Sequence, residues 1–98
     1  MAEMIESFKR DLAEVCWQDL RIHLQRDAII LISADLDIIQ VAVALAEDDS
    51  RQVETWITSG AIGKPSRQQL DGWEEDLEKR FRMLIVQPFI LVQEIAVA

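Results

Sequence analysis

Cysteine, proline, glycine and basic charge are all scarce in this chain. Cys16 is the one cysteine in 98 residues, so no disulfide can close within the sequence, and a reducing compartment is the simpler expectation. Two prolines and three glycines provide no linker, and there is neither an internal repeat nor a low-complexity segment. Residues 1–98 therefore read as a single globular domain. Ten Lys and Arg stand against eighteen Asp and Glu, a formal net charge of -8. That balance opposes nucleic acid and anionic membrane surfaces, which need clustered cations. No run approaches the roughly 20 apolar residues of a membrane-spanning helix. The first twelve residues, MAEMIESFKRDL, are acidic and lack the apolar centre of a secretory signal. A cytoplasmic setting follows as the expectation, with no membrane and no nucleic acid among the partners.

Hydrophobic residues, by contrast, make up 50% of the chain, which argues against disorder. The densest apolar run spans residues 28–46, AIILISADLDIIQVAVALA. Ala28 to Ile32 is short and rich in β-branched residues, which suits a buried strand. Ser33, Ala34 and Asp35 supply turn chemistry. From Ile38, large and small residues alternate, with Ile39, Val41, Val43 and Leu45 on one side. A period of two predicts the second arm of a β-hairpin. A helix over residues 36–46 is the alternative, since the alanines favour it and Asp37, Gln40, Ala44 and Glu47 fall at helical spacing.

On either side of this run the periodicity is helical. Residues 3–24 carry Ile5, Phe8, Leu12, Val15, Cys16 and Leu20 at three- and four-residue steps, predicting one amphipathic helix with Cys16 and Trp17 in the core. Asp49 followed by Gln52 is a helix-start pattern, with Val53, Trp56 and Ile57 as the buried face and Gly60 as the stop. Ser66 and Gln69 repeat the pattern ahead of Leu70, Trp73, Leu77 and Phe81, which follow at helical spacing. Gly72 inside that helix costs stability relative to Ala and predicts close packing there. The last run, MLIVQPFILVQEI from Met83, reads as a strand at an edge or with a bulge, because Pro88 cannot donate to a ladder. The predicted fold is α+β: an N-terminal helix, a β-hairpin, two helices and a C-terminal strand, forming a small antiparallel sheet. The alternative is a mostly α fold with residues 36–46 helical.

Few residues suggest chemistry. His23 and Asp27 stand four apart with Arg26 beside them, which could set a His–carboxylate pair on one helix face. No nucleophile accompanies them, and the plainer reading is that Arg26 and Asp27 fasten the helix end to the strand. Glu47, Asp48 and Asp49 are adjacent acids, but adjacent residues rarely aim at one ion, and cation loops space their ligands at alternate positions. No metal and no cofactor are expected. Gly63-Lys64-Pro65-Ser66 resembles the end of a phosphate-binding loop only superficially. Proline intervenes, and the upstream glycine is missing. His23, Arg26, Asp27, Asp48 and Asp49 remain the binding candidates.

Four stretches carry a resemblance: WQDLRIHLQRDAIILI, LDIIQVAVALAEDD, VETWITSGAIGKPSRQQLDGW and FRMLIVQPFILVQ. Together they cover nearly the whole chain in order, and it resembles a family of small bacterial proteins known as domain of unknown function 2288. The resemblance implies no activity and no catalytic residues.

The functional expectation is an interaction or structural module that self-associates. Three Trp, three Phe and an apolar terminal strand leave surface that a domain of this size has difficulty hiding. If Met83 to Val86 joins the hairpin, Phe89, Ile90, Leu91 and Val92 past the proline present an unpaired edge, and a two-fold homodimer would cover it. The alternative is an acidic inhibitor or antitoxin-like protein that offers carboxylates to a basic partner. An enzyme would have to work with His23, Asp27, Asp48 or Asp49, and no spacing argues for one.

Overall fold

The structure, a computed structural model, describes residues 2–22, 28–87 and 89–95. It is α+β, with elements in the order α1 (Ala2–Asp11), β1 (Ala13–Cys16), α2 (Trp17–Leu20), β2 (Ile29–Ile32), α3 (Ile38–Ala46), α4 (Ser50–Ser59), β3 (Ile62–Gly63), α5 (Arg67–Glu74), β4 (Arg80–Val86) and β5 (Phe89–Glu94). The strands form one five-stranded sheet in the order β1-β4-β5-β2-β3. Its neighbours are antiparallel, except that β2 runs parallel to β5 with Ile29 opposite Ile90.

This sheet is buried on both faces, and strand alternation assigns the side chains. Ile32, Leu84 and Leu91 point to one face, where they meet Ile38, Val41 and Ala42 of α3, with Ile5 and Phe8 of α1 packed alongside. Phe81, Ile90 and Val92 point to the other, where they meet Trp17 and Leu20 of α2 and Trp73 of α5. Trp17, Trp73 and Phe81 form an aromatic cluster with centroids 5.0–6.0 Å apart. Trp17 Nε1–H donates to Glu74 and Trp73 Nε1–H donates to Glu94, each at 2.9 Å. Both indoles thus keep a hydrogen bond while their rings are enclosed.

Several expectations are corrected. Residues 38–46 are helical, so there is no hairpin between residues 28 and 46. The Asp37 carboxylate caps α3, accepting from Ile39 N at 2.9 Å. With Ile38, Ile39, Val41, Ala42 and Ala44 all buried, α3 is apolar on nearly every side, which erases the helical period and lets an accidental alternation stand out. The N-terminal helix stops at Asp11, and Ala13–Cys16 is a strand. One straight helix cannot serve two faces of a sheet. The break lets α1 cover one side and α2 the other, while β1 takes the open edge of β4.

The C-terminal run is two strands, which makes the sheet mixed and five-stranded. Leu84 pairs with Leu91 and Met83 with Val92 across β4 and β5. Pro88 lies outside the described residues. Both predicted helix starts are present, but α5 ends at Glu74, and Phe81, expected on its apolar face, lies in β4. Asp49 accepts from Gln52 N at 3.2 Å, and Ser66 and Gln69 form a complete capping box. Gly60 ends α4 with φ 82°, the left-handed conformation that favours glycine. Trp73 is buried and Trp56 half-buried. Gly72 has open space where a Cβ would stand, so close packing does not explain it.

Candidate docking cleft

Helix α4 is thinly covered, with no fully buried residue. Its apolar stripe of Val53, Trp56 and Ile57 turns toward α3 and the sheet, yet Ile57 remains 56% exposed. The buried face predicted for this helix is therefore only half closed at Ile57. The gap is an apolar cleft of about 360 Å³ lined by Ile30, Leu45, Val53, Ile57, Ile62, Gly63, Lys64 and Phe89. A second hollow of about 310 Å³ lies beside it at the α3–α4 turn, sharing the walls Leu45, Val53 and Ile57 and adding Asp48, Asp49 and Glu54. Phe89 enters this face because it sits opposite Val86 and alternates with Ile90, so it leaves the sheet on the α3–α4 side at 38% exposure.

The sequence candidates fall into three groups. His23, Arg26 and Asp27 lie outside the described residues. Asp48 and Asp49 line the hollow at the α3–α4 turn and Phe89 lines the apolar cleft beside it, an arrangement that no spacing in the chain foretold. Asp48 occupies the turn with φ 57°, a left-handed conformation that Asp tolerates better than most residues. Asp49 is partly engaged as the cap of α4. Ile90, Leu91 and Val92 are 8%, 0% and 0% exposed. They belong to a central strand paired on both sides, so the unpaired edge expected there does not exist. Phe89 alone of that group reaches the surface.

Sequence reasoning missed Ile30, Leu45 and Ile62, which line the cleft, because each is an ordinary apolar residue of a buried element. Gln93 was also missed. It is buried at 3% exposure and donates from Nε2 to the carbonyls of Ser33 and Leu36, each at 2.7 Å. That clamp fixes the loop between β2 and α3. A more polar hollow of about 420 Å³ lies near Ser33, Lys64, Gln69 and Glu94. Its chemistry is largely committed to structure: Gln69 completes the α5 cap, and Glu94 accepts from Trp73 and pairs with Lys79 at 3.7 Å.

Cys16 Sγ lies 3.3 Å from Asp19 Oδ2 as a donor. Among the described residues, no group of three or more His, Cys, Asp and Glu side chains could hold a metal ion, and no helix is long and apolar enough to cross a membrane.

The family model described as protein of unknown function, DUF2288, matches residues 3–94. The chain belongs to that family. Among solved structures, this DUF2288 protein is similar to the NMR solution structure of PA1075 from Pseudomonas aeruginosa, with a TM-score of 0.77 and 27% sequence identity over 99% of this chain and 89% of that one. No curated protein matches it. The architecture described above is thus shared with a solved relative, while the family description assigns no activity.

Proposed function

We propose that this DUF2288 protein is a small cytoplasmic protein-interaction module, and that the groove along α4 is its docking surface. One observation carries the reading. Ile57 and Phe89, at 56% and 38% exposure, come from distant parts of the chain and open into the same apolar cleft. Exposed apolar side chains scattered singly need no explanation, but a contiguous concave group is what binding surfaces present.

A fluorescent dye specific for exposed apolar surface, such as anilinonaphthalene sulfonate, tests the cleft. The folded wild-type protein should bind it, and an Ile57→Ser/Phe89→Ser variant with unchanged circular dichroism should lose that signal. Equal dye binding by both proteins would remove the cleft as the docking surface.

Self-association is a second reading, favoured by the same exposed pair, because facing clefts would cover Ile57 and Phe89 on both copies. Its interface would retain Phe89 from the sequence expectation but not Ile90, Leu91 or Val92. Sedimentation equilibrium decides it. A dimer abolished by the double substitution supports this reading, and a monomer at high concentration removes it.

A further inference from the structure

The charges along the groove select among occupants of the docking surface proposed above, on which this inference rests. Asp48, Asp49 and Glu54 line the hollow at the start of α4, and the apolar cleft lies toward its end. Among the described residues, neither Asp48 nor Glu54 has a cation paired with it; the described ion pairs involve Glu14, Asp71, Glu74 and Glu94. Here an apolar hollow, whose rim also carries Lys64, and carboxylates without a paired cation share the walls Leu45, Val53 and Ile57.

We infer that the groove receives a basic amphipathic segment of another protein, with a large apolar side chain in the cleft beside Phe89 and Lys or Arg side chains over Asp48 and Glu54. Asp49 and Ile57 stand eight positions apart, or about 12 Å of helix. A helical segment laid along the groove spans that distance in two turns, placing its base and its apolar anchor on one face. A second copy is the poorer occupant. Each copy carries a net charge of -8, and apposed grooves would set two acidic rims near one another, whereas a basic segment meets the field of the rim with the opposite sign.

The probe is a synthetic peptide of four helical turns (about 14 residues) with leucine on one face and lysine on the other. Its control carries glutamate in place of every lysine. Fluorescence anisotropy with the full chain should show saturable binding of the lysine peptide and none of the glutamate peptide. Asp48→Asn/Glu54→Gln should weaken binding about tenfold through lost charge attraction. Asn suits the left-handed turn as Asp does, so the fold is kept.

Glu75→Gln/Glu78→Gln, which removes the same charge from exposed positions elsewhere, should leave binding unchanged. Equal weakening by both pairs would reduce the effect to general acidity and overturn the inference. Equal binding of the two peptides, or indifference to Asp48→Asn/Glu54→Gln, would also overturn it, while loss of both peptides in Ile57→Ser/Phe89→Ser would leave the cleft itself standing. A wild-type dimer that the lysine peptide fails to displace would assign the groove to a second copy instead.

Discussion

Gln93 shows how a single polar residue can discipline a loop from inside the core. Its two 2.7 Å bonds reach the carbonyls of Ser33 and Leu36, and the Arg82 guanidinium approaches its Oε1 at 3.5 Å. Ser33 O also accepts from Leu36 N at 3.0 Å, so the side chain matters most to the Leu36 carbonyl. That oxygen would otherwise be a half-buried acceptor without a partner. Gln93→Leu preserves volume but removes the donor, and should cost about 1–3 kcal/mol, the penalty of leaving such a group unsatisfied. Urea unfolding would register this as a lower midpoint at an unchanged slope. A midpoint equal to wild type would mean that water replaces the amide and the clamp is dispensable. The aromatic cluster follows the same rule, with each indole N–H held by a glutamate.

At the scale of elements, β5 is the member on which the others depend. It lies between β4 and β2 and contributes to both faces, with Leu91 and Val92 fully buried. Ending the chain after Gln87 would expose an edge on each of its neighbours and empty both cores at once. Global unfolding is therefore the expected outcome, seen as loss of the cooperative thermal transition. A folded truncated protein would contradict the central placement of β5.

The elements most legible in sequence were those fixed by local chemistry. Asp49, Ser66 with Gln69, and Gly60 mark helix ends through hydrogen bonds and backbone conformation within a few residues, and those ends stand where predicted. The illegible ones depend on distant partners. Residues 13–16 have a helical pattern but extend because β4 offers them an edge. In α3, nearly complete burial removes the polar stripe that would have marked a helix. The groove was less legible still, since Phe89 and Asp48 come to line neighbouring hollows on either side of Ile57 only after β5 is centred and α4 docks. Tertiary pairing overrode local preference in each of these places.

For the whole molecule, the charge balance sets folding against the proposed docking. Eighteen acids and ten bases repel on balance in the compact state, and the four described ion pairs are partly or fully exposed, where such pairs contribute little. Asp48 and Glu54 add like charge to a corner that already holds Glu47 and Asp49, with no paired cation among the described residues to offset it. Stability alone would favour their neutral counterparts. If binding retains them, Asp48→Asn/Glu54→Gln should be the more stable protein while binding the basic peptide less well, a trade that functional surfaces commonly show. The gain should be about 0.5 kcal/mol at low ionic strength, within the range of exposed charge interactions. It should fade toward zero near 1 M salt, where the screening length falls to about 3 Å. Thermal unfolding of both proteins at low and high salt measures it. A variant less stable than wild type at low salt would show that these carboxylates support the fold, and would remove the reason to read them as held for a partner.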